Sequence, residues 1–432
     1  MSEQPPAPVR LKHRILYGLG YLPVALTTDV TLTWLLKCYR PDPTDTRWQV
    51  LVTATAFAVA VVVGRVVDGL ADPLVGYWSD RLSSRLGRRK PFILIGAPVW
   101  AAVFVFIWTP PTPGVSLANA VYLGGMLSVF FFVYTFVVCP YLAMLPEITP
   151  SRTERVALTS WQAAFAIVGA VGGMVLAGYL IEHFGYRAMG LCLAPVIVLC
   201  AWAPLFVPQP QTGFKPSSFP LRPALAWTFR NPLFPAYALA ALLFWIALRM
   251  MLLTLPKLLE VRTHAGEASV GAILGIALLA AGLMLPFMPR LSSRIGKKRL
   301  LLGGLLYLGI LMLPLPFLGA LPIPLSPLGQ AFLLLALAGP AMATVFTLPN
   351  AILADIVDRD EQSTGERREA MYYAVQGLIT NLGMGFGGAL AALLLDRFGE
   401  SAAHQGGFLA CTLVSLALAA LAAAALSRYR GH

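Results

Sequence analysis

One otherwise apolar stretch, VGRVVDGLADPLVG, places Arg65, Asp68 and Asp72 at i, i+3 and i+7. At 3.6 residues per turn these three share a helix face, and the two carboxylates are neighbours one turn apart. An ionisable group at membrane depth is costly unless it is paired or hydrated, which marks such residues for function. Two adjacent carboxylates in low dielectric repel, so the pair is expected to hold a proton or bind a cation. Arg65 offsets one of the two charges and leaves a single net negative charge, an arrangement suited to Na+ or H+. The plainer alternative is a structural salt bridge. Asp72 lies eight residues before Asp80, or ~12 Å along a helix axis, and Asp68 is a turn deeper. Two further charges interrupt apolar runs. Asp29 reads either as a substrate or cation contact or as a hydrated pore-lining residue. Arg249 reads as a contact for an anionic group, as the partner of a carboxylate across the bundle, or as a snorkelling side chain.

The elements that must carry these residues follow from composition. The chain has 432 residues, 58% of them hydrophobic and 12% charged, with a net charge of +12. Its mean hydropathy is +0.73. Soluble domains carry about 25% charged residues, so a soluble enzyme, a disordered chain and a fibrous protein are excluded and a polytopic helical membrane protein remains. The basic excess fits membrane loops better than nucleic-acid binding. The five cysteines, Cys38, Cys139, Cys192, Cys200 and Cys411, are scattered and lack metal spacing. The first ten residues show no signal-peptide pattern.

A bilayer-crossing helix needs about 20 mostly apolar residues. Spans are expected over 15–36, 49–79, 156–181, 188–207, 231–255, 268–289, 370–395 and 405–427. Two more come from 91–146 and two from 300–354, stretches free of charge for 56 and 55 residues. That makes twelve, with no sizeable soluble domain. The Pro- and Ser-rich segment 208–230 reads as a cytoplasmic linker between an N-terminal bundle (1–207) and a C-terminal bundle (231–432). The termini and the loops on their side hold 23 of the 32 Lys and Arg residues, and the opposite loops hold seven. The heavier side is expected to be cytoplasmic, with both termini inside a plasma (inner) membrane.

The halves repeat. RLSSRLGRRK (81–90) returns as RLSSRIGKKR (290–299), an offset of 209 residues. The same offset superposes the charge-free double spans and carries Pro140 onto Pro349. Two six-helix bundles in parallel are the repeat plan of major facilitator transporters. Asp80 with Arg81, Arg85, Arg88 and Arg89 is expected to form a cytoplasmic gate latch. The second copy, with Arg290 and Arg294, has Pro289 where Asp80 stands. The loop after the tenth span holds Asp355, Asp358, Arg367 and Arg368 among other charges, and its interleaved arginines point to salt bridges on that face rather than to metal. No HExxH, P-loop or GxSxG motif occurs, so no enzyme is expected.

The loop GYWSDRLSSRLGRRK resembles the loop 2–3 signature of the major facilitator superfamily. RVVDGLADPLVG, PYLAMLPEITPSRTER and ADIVDRDEQSTGERREAMYYAVQ resemble the glycoside–pentoside–hexuronide:cation symporter family of melibiose permease-like proteins. The resemblance implies a twelve-helix all-α fold, and it implies that Asp68 and Asp72 bind the coupling cation, with Arg65 tuning the site. It places Cys139, Pro140 and Tyr141 near that region. The family's two sugar-binding aspartates fall on Ala25 and Val138, its helix V arginine near Gln162, and its eleventh-helix lysine on Asn381. The cation half of the pattern is thus kept and the galactoside half is missing. Relatives on this fold also move lysophospholipids. The same loop also looks like that of sucrose–proton symporters.

The expected function is alternating-access symport of a sugar or related small solute, driven by Na+ or H+ and needing no other cofactor, or else movement of a lysolipid or similar amphiphile. Tyr21, Trp34, Tyr134, Tyr141, Trp161, Gln162, Tyr373, Gln376 and Asn381, with Asp29 and Arg249, are the candidate cavity residues. The expected partners are a small-molecule substrate and the lipid bilayer, with no nucleic acid. A monomer is the family expectation.

Overall fold

The computed structural model describes residues 9–41, 47–82, 84–149, 152–208, 229–364, 369–400 and 404–428. Of the expected linker, residues 209–228 lie outside the described part. The described residues form helices, turns and bends, with no strand among them.

The spans are α1 (Leu11–Tyr39, made of Leu11–Leu19 and Leu22–Tyr39), α2 (Ala54–Arg81), α3 (Lys90–Ile107) and α4 (Leu117–Ala143). Arg152–Trp202 runs as one helical stretch except at Gly185, whose φ of 82° and ψ of 172° are not helical. It is therefore two spans joined by a one-residue reversal, α5 (152–184) and α6 (186–202). Only glycine adopts that conformation without strain. The second half comprises α7 (Phe234–Thr263), α8 (Glu267–Met284), α9 (Lys297–Met312), α10 (Pro327–Thr364), α11 (Glu369–Phe398) and α12 (Gly406–Ser427). A short helix, Met288–Ile295, stands between α8 and α9. Twelve spans put the first and last helix ends on one face, called here the terminal face. Arg14 pairs there with Glu154 at 2.9 Å, and Lys298 donates to the Ser427 carbonyl at 2.8 Å.

Several boundaries differ from the sequence reading, the tenth span running on to Thr364 among them, and two are explained by local contacts. The second span begins at Ala54 because Thr53 caps it, its hydroxyl accepting from the Ala56 amide at 3.2 Å. The seventh continues eight residues past Leu255 to Thr263, through Lys257 and Glu260. Those charges are tolerated because each has a partner. Lys257 meets Glu400 at 2.8 Å and Glu260 meets Lys37 at 2.7 Å.

The repeat is visible in the backbone. Gly87 and Gly296, 209 positions apart, have φ of 93° and 90°. Arg88 pairs with Glu147, and its counterpart Lys297 pairs with Asp355. Each half also has a buried amide that closes the loop before its fourth helix. Asn119 donates to the carbonyls of Leu51, Thr112 and Gly114. Gln330 accepts from the Gly319 amide and donates to the carbonyls of Ile323 and Leu325.

The halves meet along α2 with α11, α5 with α8 and α1 with α7. Small residues permit the close approach. A Cβ on Gly178 of α5 would lie 2.3 Å from the Glu267 carbonyl, and one on Gly271 of α8 would lie 2.5 Å from that of Met174.

Candidate functional site

The face of α2 follows from its exposure pattern. Val59, Val63, Val66, Leu70, Leu74 and Tyr77 are exposed and recur at three- and four-residue steps, which is a lipid-facing stripe. Asp68 lies on the opposite side of the helix and is 5% exposed. Its Oδ2 accepts from Arg65 Nη1 at 3.1 Å, and its Oδ1 accepts from the Thr135 hydroxyl of α4 at 3.1 Å. The Arg65 guanidinium carbon lies 4.2 Å from the Phe131 ring centroid, a cation–π contact. Arg65 Nη2 is buried without a hydrogen-bond partner among the described residues. Asp72 shares the Asp68 face, yet it is exposed. That exposure lies on the side of α2 away from the lipid stripe.

Glycines of α11 make room for the charges of α2 and α7. A Cβ on Gly385 would lie 3.3 Å from that of Arg65, and one on Gly387 2.9 Å from that of Arg249. Arg249, 2% exposed, donates through Nη1 to the Leu32 carbonyl of α1 and so ties α7 to α1. Its Nε is buried without a hydrogen-bond partner among the described residues. Of the three sequence readings of Arg249, snorkelling does not describe this geometry. Asp29 lies one turn before Leu32. With Thr33, it edges a cavity of about 100 Å³ whose other walls are mostly apolar side chains of α7, α8, α9, α10 and α12, including Leu248, Met251, Leu274 and Phe346.

The other candidates fall into separate groups. Tyr141 and Gln162 come together: Gln162 Nε2 donates to the Tyr141 hydroxyl at 2.9 Å, and that hydroxyl donates to the Tyr17 carbonyl at 2.8 Å. Tyr21 leans on the Tyr141 ring, with centroids 6.4 Å apart. Tyr134 packs edge-on against Trp100 at 5.6 Å. Trp161 packs near Phe165 at 6.1 Å and backs onto Gly18. Trp34 is wholly buried in the core. Gln376 donates to Asn350 at 2.8 Å, Tyr373 is exposed, and Asn381 is half-buried.

On the terminal face, the ion pairs described among the gate candidates stay within one half. Arg88 and Arg89 both meet Glu147, at 2.9 and 3.2 Å, and Arg89 also donates to Ser79. Arg81 stacks on Tyr77 at 3.4 Å, and Arg85 is exposed. Asp355 takes Lys297 at 2.6 Å, Asp358 is exposed, and so are Arg290 and Arg294. Arg367, Arg368 and the side chain of Asp80 lie outside the described residues.

A cluster that the sequence reading did not single out closes the far face between the halves. Lys37 of α1 meets Glu267 at 2.9 Å and Glu260 at 2.7 Å. Arg40 meets Asp396 and Glu400, both at 2.9 Å, and Arg47 reaches Glu267 at 2.9 Å. Glu182 of α5 caps α8 by accepting from the Ala268 amide at 2.7 Å. The signal was present in the charge count, because the far side holds few cations and three of them, Lys37, Arg40 and Arg47, cluster at and just after the end of α1.

With this geometry in hand, similarities to known proteins can be read. Residues 16–430 match the family model described as MFS/sugar transport protein. An uncharacterised symporter of Bacillus subtilis, YnaJ, is 27% identical, the alignment covering 86% of this chain and 82% of that protein. The isoprimeverose transporter of Lactiplantibacillus pentosus is 25% identical over 90% of this chain and 81% of that one. The crystal structure of the nucleoside transporter NupG superposes with a TM-score of 0.70 at 15% identity, covering 98% of this chain and 99% of NupG. That likeness is one of fold.

Proposed function

The chain belongs to the MFS/sugar transport family and is a membrane transporter rather than an enzyme; from that premise, we propose that it is a Na+- or H+-coupled symporter of a sugar or related small solute. In this reading Asp68 and Asp72 take the coupling ion, and Arg65 sets how much negative charge the ion meets. The observation that carries it is the position of the two carboxylates. Asp68 is buried and held by Arg65 and Thr135 on the protein side of α2, and Asp72 is exposed a turn nearer the terminal face. An ion entering from that face reaches Asp72 first.

The bundles 1–207 and 231–432 would rock about the α2–α11 and α5–α8 seams. The far-face ion pairs hold the two halves together on that side, which fits a state open toward the termini. The Lys and Arg bias supports a cytoplasmic placement for the face that carries the termini. One named relative is an uncharacterised symporter and the other a transporter of isoprimeverose, which supports a sugar-like cargo here. The decisive test is cation-driven uptake by proteoliposomes. Asp68→Asn is expected to abolish accumulation while the protein stays folded, and full accumulation by that variant would overturn the ion role.

A second reading rests on the cavity at Asp29. Its walls are mostly apolar, with one carboxylate at the edge, which suits an amphiphile such as a lysolipid. Uptake screens with pentosides and hexosides against lysolipids separate the two.

A further inference from the structure

We propose that the loop joining α8 to α9 binds the headgroups of anionic phospholipids. The proposal does not depend on the transported cargo. The segment is the second copy of the basic repeat, and it differs from the first in how its cations are used. In the first copy, Arg88 and Arg89 share Glu147, and Arg81 lies flat on Tyr77. In the second, Lys297 is taken by Asp355 and Lys298 by the Ser427 carbonyl. Arg290, Arg294 and Arg299 are exposed, and none of them has an ion pair among the described residues. Among the described residues Arg290 has no ring contact of the kind Arg81 makes, and Pro286 stands where the first copy has Tyr77.

The local geometry places these arginines at a membrane surface. The helix Met288–Ile295 follows directly on the end of α8. Met288, Leu291 and Ile295 stand at i, i+3 and i+7 and form one stripe, with Met288 buried; Arg290 and Arg294, at i and i+4, occupy the other side. An apolar stripe opposite a basic one is the pattern of a helix lying in the interface. Leu283 and Phe287, just before it, are exposed apolar side chains. Gly296, with φ of 90°, turns the chain, so that Lys297, Lys298 and Arg299 border a groove of about 820 Å³. Arg359 adds a fourth cation to that lining, and Asp355 and Asp358 oppose them. A headgroup phosphate would lie toward Arg299, away from the Asp355–Lys297 pair. Basic clusters next to a span attract anionic lipid.

The test is native mass spectrometry of the purified full-length chain in neutral detergent, titrated with dioleoyl phosphatidylglycerol, dioleoyl phosphatidylcholine or glycerol 3-phosphate. Phosphatidylglycerol is expected to bind about tenfold or more tightly than phosphatidylcholine, with the preference shrinking in about 0.5 M NaCl. The triple variant Arg290→Gln, Arg294→Gln, Arg299→Gln is expected to lose the preference, while the same three positions changed to Lys keep it. Equal binding of the two lipids, or an undiminished preference in the Gln variant, overturns the proposal. Displacement of the lipid by glycerol 3-phosphate at equal concentration overturns the headgroup assignment in favour of a site for soluble phosphate. Should the Gln variant fail to fold, the salt dependence in the unmodified chain and the Lys variant decide.

Discussion

The ammonium of Lys37 is 1% exposed and lies between two carboxylates of the other half, 2.9 Å from Glu267 and 2.7 Å from Glu260. It joins the end of α1 to the α7–α8 turn. Removing one member of a buried ion pair costs about 3–5 kcal/mol, because the other charge is left without compensation. Lys37→Met is therefore expected to loosen the far face. Cys38, the next residue, is buried and free. In a background where it is the only cysteine, its alkylation by a membrane-impermeant maleimide is expected to speed up at least tenfold. An unchanged rate would show that the remaining contacts, Arg40 with Asp396 and Glu400 among them, suffice to keep that face shut.

Thr135 contributes one neutral donor to Asp68 at 3.1 Å. A hydrogen bond to a charged group contributes about 1.5–3 kcal/mol. Thr135→Val preserves shape and removes the donor. It is expected to shift the cation concentration for half-maximal uptake by about tenfold or more, with expression unchanged. An unshifted value would mean that Thr135 supports packing only.

Gly387 faces the backbone of α7, and a Cβ there would lie 2.4 Å from the Ile246 carbonyl oxygen. A backbone atom in a helix cannot step aside cheaply. Overpacking of this kind costs about 1–3 kcal/mol. Gly387→Ala is expected to lower the melting temperature in detergent. Gly377→Ala is the control, since nothing lies near a Cβ at that position.

Asn119 is fully buried and donates to three carbonyls, at 3.2, 2.9 and 2.8 Å. Asn119→Leu leaves those acceptors in an apolar setting, at about 1–3 kcal/mol for an unsatisfied group. A drop in thermal stability of that size is expected, together with faster proteolysis of the 109–116 loop. Gln330→Leu is expected to do the same in the second half.

How much of this could be read beforehand depends on the kind of signal. The span count, the duplication and the Arg65–Asp68 pair follow from hydropathy, offset and helix periodicity, all local in the chain. The boundary at Thr263 could not be read that way. Lys257 and Glu260 look like stop signals until Glu400 and Lys37 are seen beside them, 143 and 223 residues away. Thr135 and the α11 glycines were missed for the same reason, since their roles arise only where α2, α4 and α11 meet. Arg249 could be placed in a short set of alternatives, and only its contact with the Leu32 carbonyl narrows that set.

The ion pairs that cross the far-face seam all run the same way, cation from the first half to carboxylate of the second. Lys37, Arg40 and Arg47 come from the first, and Glu260, Glu267, Asp396 and Glu400 from the second. Duplicated folds invite the thought of an ancestor made of two identical copies. Here a homodimer of the leading copy would bring ammonium against guanidinium at the rim, and one of the trailing copy would crowd carboxylates together. Only the mixed pairing sets cation against carboxylate, so the two copies have become obligate complements, and fragments expressed separately should find each other in preference to themselves.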